Sequence, residues 1–248
     1  MTEYLILAVA AFFAGMLNTV AGGGTFLTFP ALVYAGVPVV AANATSAVAV
    51  FPGYLAGALG FRREIASFER RSLLKIVAAT ALGGLVGSLL LLVSSNEAFA
   101  VVVPFLLVVA TLAFAFGSQL QDWARRHRMG KPEGPVGTVL VSIYGGYFNG
   151  GLGIVLLALF SIWGMRDLNR MNGLKNGLSF VLSAISVATY AAAGLVAWPQ
   201  AVLMMAAATV GGYAGAPVAR ALPPRIVRGV IIAVGAIMSA IFFWRAFA

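Results

Sequence analysis

Long apolar runs alternate with short polar joints along this chain, and the lengths of the runs predict its elements. Ten apolar segments can be drawn, at residues 4–20, 26–34, 41–61, 73–93, 98–116, 136–148, 154–163, 174–196, 201–219 and 226–247. Runs near 20 residues with few charges have the length of a membrane-crossing helix. The segments at 26–34, 136–148 and 154–163 are shorter, so the expected order is a short pair followed by three spans, twice over. One clearly polar stretch interrupts this order, 119–135, with Arg125, Arg126, His127, Arg128 and Lys131. It divides the chain into a first repeat at 1–118, a polar linker at 119–135 and a second repeat at 136–248.

Each half opens on an apolar segment that breaks at an asparagine and a glycine run. The first reads Gly15-Met16-Leu17-Asn18-Thr19-Val20-Ala21-Gly22-Gly23-Gly24-Thr25, the second Gly146-Tyr147-Phe148-Asn149-Gly150-Gly151-Leu152-Gly153. Glycine is costly inside a helix and opens the backbone, so breaks at matching places suggest a shared purpose. Further matches follow in the same order. Asn43 in Asn43-Ala44-Thr45-Ser46 aligns with Asn172 in Asn172-Gly173-Leu174-Lys175-Asn176, and Gly83-Gly84-x-x-Gly87 aligns with Gly211-Gly212-x-x-Gly215. An extra basic insert around Arg62-Arg63-Glu64 makes the gaps uneven.

Composition agrees with the pattern. Of 248 residues, 61% are hydrophobic and 9% charged, which excludes an ordinary soluble domain. The net charge of +9 sits between apolar segments. It therefore reads as a topology signal rather than a nucleic-acid surface, and no nucleic-acid partner is expected. Arg62, Arg63, Arg70, Arg71 and Lys75 put the joint before 73–93 in the cytoplasm. The joint at 94–97 has no basic residue and falls outside, and the linker falls inside. Arg166 and Arg170 follow inside, 195–200 outside, and Arg220, Arg225 and Arg228 inside; only Arg245 lands on the outer side. Five segments per half is an odd number, so the second half enters the bilayer from the opposite face. The expected fold class is an all-α integral membrane protein with two inverted-topology repeats, broken or re-entrant short helices in each half, and a site between the repeats. The first residues lack the basic start of a cleaved signal peptide, so the first segment is expected to be retained.

The chemistry on offer is narrow. Cysteine is absent, and the seven carboxylates, Glu3, Glu64, Glu69, Glu97, Asp122, Glu133 and Asp167, all fall away from the middle of a span. His127 is the only histidine. Buried metal ligands, a nucleophile with its base, and a nucleotide-binding motif are therefore all missing from the apolar segments. No enzyme activity, cofactor or metal is expected. What remains suits a small anion, because broken helices turn free N–H groups and positive dipole ends toward the break. The candidate substrate-binding residues are Asn18, Gly22, Gly23, Gly24, Thr25, Asn43, Thr45, Asn149, Gly151, Gly153, Asn172, Lys175 and Asn176. Tight helix packing is the competing reading for glycines. It is preferred for Gly53-x-x-x-Gly57 and for the pairs at Gly83 and Gly211. Lys175, flanked by Asn172 and Asn176, is either the anion's countercharge or a snorkelling anchor at a helix end.

At these motifs, over nearly its whole length, the chain resembles the sulfite exporter TauE/SafE family of membrane transporters. The resemblance implies a multi-pass protein of the bacterial inner membrane that exports sulfite, sulfonates or related organosulfur anions. The second break has no threonine matching Thr25, which departs from strict symmetry between the half-sites. The expected partners are a small anionic substrate and the lipid bilayer, and a homo-oligomer is compatible with the sequence. Two alternatives stand beside this reading: a transporter or channel for another solute, such as a carboxylate or metal ion, and a non-transporting membrane anchor subunit.

Overall fold

A computed structural model describes residues 2–20, 23–116, 119, 122, 123, 126, 135–221 and 224–247. Among them all regular structure is helical. The helices are α1 (Thr2–Val20), α2 (Thr25–Tyr34), α3 (Val39–Gly60), α4 (Arg62–Ala66), α5 (Arg70–Leu92) and α6 (Asn96–Ala115) in the first half. The second half holds α7 (Pro135–Tyr147), α8 (Leu152–Ile162), α9 (Leu168–Ala192), α10 (Trp198–Ala221) and α11 (Pro224–Phe247). Gly22, Arg125, His127, Arg128 and Lys131 lie outside the described residues, with most of the linker expected at 119–135. So do the side chains of Arg220, Arg225, Arg228 and Arg245.

Both expected breaks are present. At about 1.5 Å per residue, α7 and α8 reach roughly 20 and 16 Å, short of the ~30 Å hydrocarbon core. They run back along each other as a hairpin. A Cβ at Gly137, near the start of α7, would lie 2.9 Å from Leu159 at the end of α8. One at Gly145 would lie 2.7 Å from Leu152 at its beginning. The basic insert forms the short helix α4. The helix expected from residue 174 begins instead at Leu168, because Asp167 caps it. The carboxylate accepts the N–H groups of Asn169 and Arg170 at 2.9 and 3.1 Å, satisfying donors that an open helix end would leave bare. Asn172, Lys175 and Asn176 consequently sit a full turn or more inside α9, not at its lip.

The principal helix contacts are unchanged when the halves are exchanged. If α1, α2, α3, α5 and α6 correspond to α7, α8, α9, α10 and α11, then α1 on α10 mirrors α7 on α5, and α3 on α10 mirrors α9 on α5. The pairs α3–α9 and α6–α11 map onto themselves. Glycines set the two mirrored contacts. A Cβ at Gly15 would collide with the Ala208 carbonyl, and one at Gly211 with that of Phe12. Across α5 and α7, Gly87 stands against the Ile143 carbonyl and Gly146 against that of Gly84. These are small-residue seams that let two backbones touch. Gly53 departs from the expected packing role, since a Cβ there would meet nothing within 4 Å.

Charges and turns separate to opposite ends. At one end Arg170 lies 4.6 Å from the Phe68 ring centroid and Gly173 abuts Glu64, Phe61 and Ile65. This brings the basic insert against the start of α9. At the other end Asn96 Oδ1 accepts the Val40 N–H at 3.2 Å and Thr45 Oγ accepts the Ala197 N–H at 3.0 Å. The outer surface of the bundle is apolar: Val9, Phe13, Leu82, Leu89, Phe105, Val109 and Ile237 are all exposed. Such a surface suits lipid rather than water.

Candidate functional site

The second break is closed by side chains from α3 and α9 and by one from α7 itself. After Tyr147 the chain turns through Gly151, whose φ of +73° only glycine adopts without strain. The last two α7 carbonyls, at the negative end of that helix, are covered by side-chain donors. Tyr190 donates its hydroxyl to the Gly146 oxygen, and Asn43 Nδ2 donates to that of Tyr147 at 2.9 Å. Tyr144 covers the Gly150 oxygen in the same way. Tyr54 donates to Asn149 Oδ1 at 3.4 Å, which leaves Asn149 Nδ2 buried without a partner. The N-terminus of α8, with its positive dipole end, opens onto this same point.

Helix α9 turns a polar face to the break. At about 100° per residue, Asn172, Lys175, Asn176, Ser179, Ser183, Ser186 and Tyr190 share one sector of roughly 100°. One margin of that face meets the break: a Cβ at Gly153 would lie 3.3 Å from Lys175 Cδ, and Tyr190 holds the Gly146 carbonyl. The other margin meets α3, where Phe51 stacks on Phe180 and the Asn176 amide covers Gly57. Gly57 is thus tight against a side chain rather than a second backbone. Tyr54 lies between Phe51 and Gly57 along α3, and its hydroxyl bridges from that helix to Asn149. Lys175 Nζ donates to Asn172 Oδ1 at 3.1 Å and makes no ion pair among the described residues. Its aliphatic stem is what packs on Gly153.

The first break is built differently. Asn18 Oδ1 accepts the Gly24 N–H at 2.8 Å, so the asparagine closes its own break. Gly23 and Gly24 are buried there, and Thr25 opens α2 at 5% exposure. The Gly24 carbonyl is taken by Leu27, Thr28 and the Thr28 hydroxyl, and that hydroxyl also meets Ser46 Oγ at 2.6 Å. Counting from the matched Asn43 and Asn172, Ser46 holds the place of Lys175. One half-site therefore carries a cation and the other a satisfied hydroxyl. Thr45 is brought to neither break; it fastens the turn before α10.

The structure so gathers Asn149, Gly151, Gly153, Lys175, Asn172 and Asn176 into one place, with Asn43 at its edge. Asn18, Gly23, Gly24 and Thr25 form a second place. Sequence reasoning missed Tyr54, Tyr144, Tyr190, Ser179 and Ser183. The two serines had a legible signal, four and eight residues beyond Lys175 on one helix face. Tyr54 and Tyr190 had none, since their partners lie 95 and 44 residues away, and Tyr144, whose partner is six residues on, carried no motif that marked it.

Comparison with known proteins finds membrane transporters. A family model described as Sulfite exporter TauE/SafE matches residues 7–242. A probable membrane transporter protein of Haemophilus influenzae is 27% identical over 237 residues, covering 95% of this chain and 92% of the relative. The probable membrane transporter protein YfcA of Escherichia coli K12 is 27% identical over 247 residues, covering 95% and 87%. Probable membrane transporter protein ORF9 of Sinorhizobium sp is 26% identical over 230 residues, covering 92% and 87%. No solved structure matches the chain.

Proposed function

Because the chain belongs to the sulfite exporter TauE/SafE family of membrane transporters, we propose that it is a secondary transporter of small oxyanions or organosulfur anions, such as sulfite and sulfonates. The anion is held between the second break and the polar face of α9. One observation carries this reading: the Gly146, Tyr147 and Gly150 carbonyls are already covered, while the donors with capacity to spare are a lysine bonded only to Asn172, an amide N–H and hydroxyls. A partly buried ammonium without a carboxylate beside it is costly, and an arriving anion offsets that cost. Asn43 Oδ1, also unpartnered, belongs to the amide whose Nδ2 covers the Tyr147 carbonyl.

The basic end of the bundle is the cytoplasmic end, and the two halves are inverted repeats about the α3–α9 and α6–α11 contacts. Their rocking against one another exposes the site alternately to each side. No step of bond making is required, and the protein acts as a carrier rather than an enzyme. The test is flux into liposomes holding the purified chain, with sulfite, methanesulfonate and a small carboxylate supplied in turn. Sulfite or methanesulfonate should enter well above the rate of empty liposomes. Entry of the carboxylate alone would assign a different solute, and no entry of any would overturn the reading.

A further inference from the structure

Resting on that reading, we infer that the transported anion is bound in the second half alone, by Ser179 and Ser183 of α9 together with Lys175 and Asn149, and that the first break is a closed structural joint which binds none. The serines decide the matter. Serine and threonine inside apolar helices normally return their hydroxyl to a carbonyl one turn back. Here Ser161, Thr189, Thr209 and Ser239 do so, onto Leu157, Ile185, Met205 and Gly235 at 2.7–2.8 Å. Thr80, Thr111, Ser142, Ser179, Ser183 and Ser186 do not, and of these Ser179 and Ser183 stand nearest to Lys175 along α9. Each of the two is 1% exposed, and each hydroxyl lacks a partner. Buried hydroxyls left unmade cost free energy that a visiting ligand recovers.

Place strengthens the argument. Ser179 and Ser183 follow Lys175 by four and eight residues on the polar face of α9, which packs on α3 and on α8. Asn149, whose Nδ2 is also unpartnered, is tied to α3 by Tyr54 at the turn that precedes α8. Unmade donors thus lie on two neighbouring elements. Around the first break the corresponding groups are spent on each other: Asn18 on Gly24, Thr28 on Gly24 and Ser46. No buried side-chain polar atom of that break is left unpartnered among the described residues. The two halves therefore share a plan of motion but not a ligand.

The test uses the full chain in liposomes with methanesulfonate as the probe, which does not attack thiol reagents. Ser179→Ala and Ser183→Ala should each weaken its affinity about tenfold, as expected for one hydrogen bond to a charged partner. Ser161→Ala and Ser239→Ala, whose hydroxyls serve their own helices, should stay within twofold, and Ser46→Ala likewise. A thiol placed by Ser183→Cys, in a chain without other cysteines, should react with a small maleimide more slowly when methanesulfonate is present. Wild-type flux with Ser179→Ala and Ser183→Ala within twofold of it, or equal loss in Ser46→Ala, overturns the inference while leaving transport standing. Absence of any wild-type anion flux removes both.

Discussion

Phe51 and Phe180 occupy equivalent places in the two halves and stack on each other, with ring centroids 5.3 Å apart and planes 14° apart. Both stand eight residues after the matched asparagines, Asn43 and Asn172. A residue touches its own counterpart only near the axis that relates the halves, so this pair marks the centre of the α3–α9 contact. A stacked pair contributes about 0.5–1.5 kcal/mol beyond its buried area. Phe51→Ala and Phe180→Ala should therefore be less than additive by about 1 kcal/mol in a double-mutant cycle, read from unfolding in detergent. Full additivity would mean that the two rings do not share an interface.

Orientation is testable on the cysteine-free background. Ser95, the residue that caps α6 at the end away from the basic residues, should react as Ser95→Cys with an impermeant thiol reagent applied to intact cells. Arg126→Cys should react only after the membrane is opened. The reverse order of labelling would place the basic end outside and overturn the assignment of sides.

Glycines on the seams and glycines off them should separate cleanly. Gly15→Val and Gly211→Val drive a side chain into a backbone carbonyl of the facing helix, which cannot yield as a flexible side chain does. Both should lose folded protein, seen as low yield and aggregation on size exclusion. Gly53→Ala meets open space inside α3 and should be neutral or stabilising by about 0.5–1 kcal/mol through helix propensity. Gly57→Ala differs from both, because a Cβ there would lie 2.7 Å from the Asn176 amide carbon. Its effect should appear in anion affinity more than in yield.

Lys175 separates a countercharge from an anchor. A charge-assisted bond is worth about 1.5–3 kcal/mol, or roughly ten- to a hundredfold in affinity. Lys175→Gln should weaken anion binding by about that factor, and Lys175→Arg should do less harm by keeping the charge. A snorkelling lysine would tolerate both, and affinity within threefold of wild type for Lys175→Gln would remove it from the site. Its position a full turn inside α9, packed on Gly153, already sets it away from a helix-end anchor.

By itself the sequence determined the membrane class, the two glycine breaks, the order of the matched motifs and the narrow chemistry. Each of these is a local property: run length, residue type, or the spacing of two short words. Only the tertiary structure decided which polar groups are committed. Asn18 and Asn149 read alike in sequence, yet Asn18 closes on Gly24 six residues away, while Asn149 is held by Tyr54 from 95 residues away with its amide N–H left over. Thr45 sat in a matched motif and proved to fasten a turn 152 residues on. Gly53 and Gly57 had one spacing and two fates, because one faces open space and the other a neighbour's amide. A hydrogen-bonding group is free or spent according to what the fold sets beside it, and that neighbour is not written next to it in the chain.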